Sequence, residues 1–484
     1  MSTNIPEVIE GLPNISGWED EVHRVTSKQR PIYPGRTPLR LEKMQSGFAL
    51  ALHMHQPLMI QDGDLGTAPI IGNLQYMMER QHVHDMHDAP VFAQCYSRIA
   101  DFIREHADAG RHPRIMLDYS GELLFGLRQM GRGDILENLR TLVTNDRYWL
   151  CAEWLGTMWA HAVVPSTPVP DLKLHILAWQ HHFAALFGWE ALARVRGFSP
   201  PEMHLPNHPD VAFEYVKALK DCGYQWLLVQ EHTVSEPDGG GLRERYLPRR
   251  LVTKNSRGEE TSIIALIKTQ GSDTKLVAQM QPLAEARGLY PRELKGQTIP
   301  PVVAQIADGE NGGVMMNEFP QNYNQAWHGL GSEGVVGIGG TEYLELLAQA
   351  GLTEKDLEPI MPLHQAALWK RVEGAPTPEK IAKAIDEAKK ADHRFHMEGG
   401  SWTNNLSWVS GYDNVLDPMN KLSALFHEKL DGRKLDRRSH AYRNALFYNL
   451  TAQTSCYRYW GQGRWTDYAR EICRRGAAIL QNDF

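Results

Sequence analysis

Apolar residues fall in seven short runs over the first two thirds of the chain, at 48–52, 114–119, 148–152, 193–198, 225–229, 262–267 and 302–307. Between several of them the period lengthens to that of an amphipathic helix, at 91–106, 172–187 and 211–222. Buried strand, helix and buried strand in succession is the signature of parallel strands joined by crossover helices, so this part predicts an α/β fold. Past about residue 340 the texture turns helical. Thr377, Pro378 and Glu379 supply an N-cap, a proline at the first helical position and an acid in the first turn, for a helix running to Lys390. Further helices are expected at 418–429, 440–459 and 466–480. Residues 1–45 hold Pro6, Pro13, Pro31, Pro34 and Pro38 and little periodicity, which predicts an irregular arm. The segment 235–257, with Gly239, Gly240, Gly241 and many charges, predicts a long mobile loop.

Titratable residues gather just past these runs. The first leads into His53-Met54-His55-Gln56-Pro57, the third into Glu153 and Trp154, the fourth into Ser199-Pro200-Pro201-Glu202, and the last into Asp308-Gly309-Glu310. In a β/α barrel the loops after the strands converge on the axis, and active sites are built there. The expected division is an arm over 1–45, a catalytic barrel over 46–340, and a helical domain over 341–484 that completes the active site.

Glu202 follows two prolines, a stiff support of the kind a nucleophile needs, although a solvated loop glutamate fits the same sequence. Asp308 ends an apolar run and precedes glycines. Partial desolvation there suits a general acid, while Asp-Gly is also an ordinary turn dipeptide. Together, two carboxylates at the ends of different strands are what glycoside hydrolysis requires. His53 and His55 alternate along a strand and so share a face, suited to hydrogen-bonding sugar hydroxyls, with metal ligation as the alternative. His82, His84 and His87 form a second cluster that fits a solvated surface or a metal. Glu153, Trp154 and His161 near one strand end, and Trp402, Asn405 and Trp408 in a later loop, offer the aromatic faces and polar groups that furnish a carbohydrate site. The chain's 13 tryptophans must also fill a core.

Composition narrows the function classes. The 484 residues are 42% hydrophobic and 23% charged, which excludes collagen-like and disordered chains. A net charge of −7 gives no electrostatic reason to expect a nucleic-acid partner. The N-terminal stretch lacks a basic segment followed by an apolar one, and no apolar run approaches the ~18 residues of a membrane span, so a cytoplasmic protein is expected. Cys95, Cys151, Cys222, Cys456 and Cys473 are too scattered for a disulfide framework or a zinc site. The glycine-rich stretch 334–340 lacks the acidic residue that a dinucleotide fingerprint places about 20 positions on. No cofactor and no metal are expected, and the oligomeric state is left open.

In their order along the chain, His53-Met54-His55-Gln56-Pro57, Glu153, Gly197-Phe198-Ser199-Pro200-Pro201-Glu202 and Asp308-Gly309-Glu310 resemble four of the five sequence regions of glycoside hydrolase family 57. The fifth region is matched by 398–408, and 453–460 is similar to the family's C-terminal helical segment. The resemblance implies a (β/α)7 barrel followed by a C-terminal helical domain, and a retaining mechanism on α-linked glucans without a metal. It implies Glu202 as nucleophile, Asp308 as general acid/base, and His55 and Glu153 beside the scissile bond. His53, Gln56, Trp154, His161, Glu310, Trp402, Asn405 and Trp408 complete the candidate substrate contacts. Ser199 stands where the family pattern carries Trp, and Asn311, Gly312 and Gly313 follow Glu310 in place of an aromatic or His-bearing turn. Both departures alter the pocket wall and leave the sugar and the linkage open. The alternatives are a metal-dependent deacetylase or hydrolase using His53, His55 and a carboxylate, and a catalytically silent glucan-binding protein.

Overall fold

The computed structural model describes the chain except residues 1–4, 29, 84–85, 270–273, 311–317, 331–333, 402–405, 407–408 and 460–462. Seven parallel strands close into a barrel: β1 (Ser46–Met54), β2 (Ile115–Tyr119), β3 (Ala152–Gly156), β4 (Gly197–Phe198), β5 (Trp226–Gln230), β6 (Glu260–Lys268) and β7 (Val302–Asp308). Each pairs with the next, and β7 returns to β1, pairing Asp308 with His53. Helices Ala89–Asp108, Val169–Phe187 and Pro209–Asp221 cross over between strands as expected.

The period of two along each strand divides the core in two. Ala49, Ala51, Met116, Leu155, Leu228, Leu266, Ala304 and Ile306 belong to one buried cluster, the barrel interior. Their neighbours Phe48, Leu50, Leu52, Leu117, Trp154, Leu227 and Val303 belong to the other, shared with the surrounding helices. Successive side chains on a strand point to opposite faces, and a barrel needs small or slender residues inside where its strands converge. Continued toward the C-terminal ends, the inward row changes character and becomes His53, Asp118, Lys268 and Asp308.

Several elements differ from expectation. Strand β3 begins at Ala152, where the 148–152 run ends. Residues 148–151 make a turn instead, with Cys151 N–H donating to Tyr148 O at 2.8 Å, and Trp149 packs on Tyr33 of the N-terminal arm. Glu153 and Trp154 are therefore inside the strand, not past its end. Trp154 points outward and meets Phe183, Phe187 and Tyr119 with ring centroids 5.2–5.3 Å apart. It is a core residue, which corrects its assignment as a substrate contact. Trp154→Ala is expected to cost about 3–5 kcal/mol of stability, measured by chemical denaturation. Destabilisation below about 1 kcal/mol would contradict that packing role.

The expected mobile loop 235–257 is largely ordered structure. Arg249–Lys254 forms a hairpin with β6, and Val234–Ser235 pairs with Pro359–Pro362. Tyr246 donates to Glu285 at 2.7 Å, and its carbonyl accepts from Val302 N–H at the start of β7. That is the end of the barrel opposite Asp308.

The arm is not irregular throughout. It carries a hairpin of Val8–Ile9 with Leu12–Pro13 and a helix, Glu19–Thr26. In the C-terminal part the helix Asp413–Leu430 starts five residues before Pro418, because Val415 is already buried. The expected helix 440–459 is two, His440–Thr451 and Cys456–Tyr459. The residues between them leave the helix to pair with the barrel mouth: Thr454 bridges Ala162, and Ser455 N–H donates to His161 O at 3.2 Å. No helix among the described residues is long and apolar enough to cross a membrane.

Candidate active site

Because parallel register sets Asp308 beside His53 and His53 beside Asp118, these three inward side chains form one row across β7, β1 and β2. Above them, one cleft at the C-terminal end of the barrel is lined by His53, His161, Ser199, Glu202, Lys268 and Asp308, among others. Glu202 and Asp308, separated by 308 − 202 = 106 positions in sequence, thus face the same space.

Glu202 is presented by an unusual backbone. After Pro200 and Pro201 the chain enters the left-handed region at Glu202 (φ 56°, ψ 18°) and stays there at Met203 (φ 52°). A non-glycine residue there costs of order 1–3 kcal/mol and persists only where its surroundings hold it, which is common at functional sites. Met203 is anchored in the barrel interior. The chain beyond is pinned to 396–401: Leu205 N–H donates to Gly400 O at 3.0 Å and His208 N–H to Met397 O at 2.9 Å. The fifth motif therefore starts beside Glu202, although Trp402, Asn405 and Trp408 lie outside the described residues.

Three imidazoles stack in the mouth. The His161 ring lies 4.2 Å from that of His55 and 4.7 Å from that of His53, with interplanar angles of 15° and 28°. His161 Nδ1 meets Ser455 Oγ at 2.7 Å, His55 Nδ1 meets Ser120 Oγ at 2.7 Å, and His53 Nδ1 meets Asp118 Oδ2 at 2.9 Å. Burial pushes His161 well below its usual range, helped by the His55 and His53 rings, and pushes His55 the same way, helped by His53. His53 differs. Burial pushes it down too, but the charge and hydrogen bond of Asp118, with Asp308 and Glu310, outweigh that and raise it to about 10.

Glu310 accepts from His55 N–H at 2.9 Å. Its carboxyl is raised to about 7 by burial and the Asp308 charge, against the opposing pull of His53 and two backbone N–H groups. Gln56 accepts from Asn73 Nδ2 at 2.7 Å. The segment 453–458 closes one wall, where Cys456 Sγ lies 3.4 Å from His55 Nε2. Buried Arg458 donates to Gln453 O at 2.9 Å and lies within electrostatic reach of Glu202; burial lowers it to about 10 while Cys456, Tyr412 and Glu202 oppose.

Glu153 is elsewhere. It is on the second residue of β3, in register with Met116, and accepts from Thr341 N–H at 3.0 Å and from the Thr341 hydroxyl. Burial, moderated by those hydrogen bonds, raises its carboxyl to about 8. This is the N-terminal end of the barrel, so the expected place of Glu153 beside the scissile bond is corrected: a strand that starts later puts it low in the interior. His82 and His87 are exposed, His87 facing Asp88 at 3.3 Å, and His84 lies outside the described residues. Among the described residues no group of three or more His, Cys, Asp or Glu is placed to hold a metal ion.

Sequence reasoning missed Lys268, Asp118, Ser455, Cys456 and Arg458 as parts of the site. Lys268 and Asp118 were legible as the last polar residues of inward rows, whereas the other three are brought in by a helix break that no periodicity announced.

The architecture defines a (β/α)7 barrel protein with an acidic cleft at its mouth and a C-terminal helical region against it. Residues 49–286 match the family model described as Glycosyl hydrolase family 57. Among solved structures, a 4-alpha-glucanotransferase from Thermococcus litoralis superposes with a TM-score of 0.55 at 15% identity, covering 91% of this chain and 60% of that one. This chain therefore spans less than two thirds of that protein's length. A GH57-type branching enzyme from Pyrococcus horikoshii follows, with a TM-score of 0.47 at 12% identity, covering 90% of this chain and 88% of that one. At 15% identity the likeness to the 4-alpha-glucanotransferase speaks to the fold. No curated protein matches the sequence.

Proposed function

We propose that the protein is a retaining glycosidase or transglycosidase acting on α-linked glucans. The observation that carries this reading is the convergence of Glu202 and Asp308, from the ends of different strands, on one cleft. The Glu202 carboxylate attacks the anomeric carbon as the bond from that carbon to the leaving oxygen breaks, and Asp308 gives its proton to that oxygen. A glycosyl ester on Glu202 results. Asp308 then takes a proton from water or a sugar hydroxyl, which displaces Glu202 and completes retention. The neutral His55 and His161 offer donor and acceptor nitrogens to sugar hydroxyls. Ser199, small where the family pattern carries Trp, widens the cleft wall. The 4-alpha-glucanotransferase named by the structural likeness supports the substrate class.

The segment 453–458 completes the site, so the barrel and the helical region act as one catalytic unit. Five free cysteines fit a reducing compartment such as the cytoplasm. Incubation with maltooligosaccharides, with products resolved by chain length, tests the reading. Shorter and longer chains together are expected of a transferase, and shorter chains alone of a hydrolase. An unchanged substrate across α-1,4- and α-1,6-linked glucans would overturn it.

A further inference from the structure

Asp118 is a buried carboxyl beneath the mouth that the proposed displacement steps do not use. Its side chain is 1% exposed, at the end of the inward row of β2. Strand register sets it beside His53 on one side of that histidine, with Asp308 on the other. We propose that Asp118 is a positioning residue that acts through His53: by holding Nδ1 at 2.9 Å it fixes the ring in the row Asp308, His53, Asp118 and keeps a cation next to the acid/base carboxylate.

The groups facing His53 are Asp118 from β2, His55 from its own strand, His161 from the segment after β3, and Asp308 and Glu310 from the end of β7. Glu202 and Lys268 line the same cleft. Of the three stacked rings, burial leaves His55 and His161 neutral, and only His53 has a carboxylate on its ring nitrogen. Asp118 thereby selects which imidazole in an otherwise uniform stack carries the charge. A buried carboxylate that is hydrogen-bonded to an imidazole also fixes its tautomer and its orientation, as carboxylate–histidine pairs do in catalytic sites. With the cation in place, Asp308 and Glu310 can sit at one strand end without unrelieved repulsion.

This inference rests on the reading of Asp308 as acid/base, but its first test does not use activity. Histidine ring 15N shifts are followed against pH in the wild type, in Asp118→Asn, and in His53→Gln, which assigns the signal. In the wild type His53 is expected to be protonated at pH 8, and in Asp118→Asn neutral, its titration midpoint having fallen by about 3 units or more. The alkaline limb of kcat/KM should then move up by about one pH unit in Asp118→Asn. His53→Gln should reproduce that shift, and the double variant should add nothing. A His53 still charged at pH 8 in Asp118→Asn would overturn the proposal. So would an alkaline limb left in place by His53→Gln, the arm that remains if Asp118→Asn fails to fold. If Glu202→Gln and Asp308→Asn both retain activity, the functional reading has failed, and the ring titration still judges the clamp.

Discussion

Glu202→Gln is expected to lower kcat on maltooligosaccharides by about 10³–10⁵-fold, with KM changed far less, because the substitution removes a nucleophile and preserves size and hydrogen-bonding capacity. The loss should be chemical rather than structural. Glu202 is held by its backbone, with the left-handed turn at 202–203, Met203 in the barrel interior and Leu205 pinned to Gly400, and a Gln side chain disturbs none of these. The thermal midpoint should therefore stay within about 2 °C of the wild type. In Glu202→Ala, which opens the space that the carboxylate fills, added azide should restore turnover of an α-glycosyl fluoride and yield the β-glycosyl azide, since an external anion then makes the single displacement that Glu202 no longer makes. Retention of more than about a tenth of wild-type kcat would remove Glu202 from this role.

Asp308→Asn is expected to lower turnover of natural glucans by about 10²–10⁴-fold. The signature lies in the dependence on leaving group. A glycosyl fluoride needs little proton assistance to depart, so formation of the glycosyl-enzyme should survive while its breakdown slows. Azide should accelerate that second step and give the α-glycosyl azide, of configuration opposite to the product from Glu202→Ala. This pair of products separates the two carboxylates by role rather than by loss of activity alone. Glu310 supplies the internal control: it belongs to the same strand end and is raised to about 7, as suits a general acid, but its Oε1 is occupied by the His55 backbone N–H. Were Glu310→Gln to show the leaving-group dependence and azide product expected of Asp308→Asn, the acid/base would be Glu310.

Six of the seven barrel strands were legible as apolar runs and the third was placed four residues early; the number was right because a strand buried on both faces has no need of polar alternation. Where the pattern misled, an aromatic residue was at issue. Trp149 and Trp154 both looked like strand or site residues, yet one is covered by the N-terminal arm and the other by Phe183 and Phe187. Apolarity says that a residue will be buried and not what will bury it. The same four-residue uncertainty carried Glu153 from the barrel floor to its mouth in the sequence reading, since a strand's polar end can be located only when its start is known.

By itself, the sequence determined the class of fold, the order of the motifs and the two carboxylates at strand ends, because these depend on local periodicity and on stiff or glycine-rich backbone around single residues. Only the tertiary structure decided which polar groups share the mouth. Closure of β7 onto β1 sets Asp308, His53 and Asp118 in one row, and a break between two C-terminal helices brings Ser455 to His161 and Cys456 to His55. Those contacts join residues up to 456 − 55 = 401 positions apart, and they follow from strand register and chain closure, which no local pattern of hydrophobic and polar residues encodes.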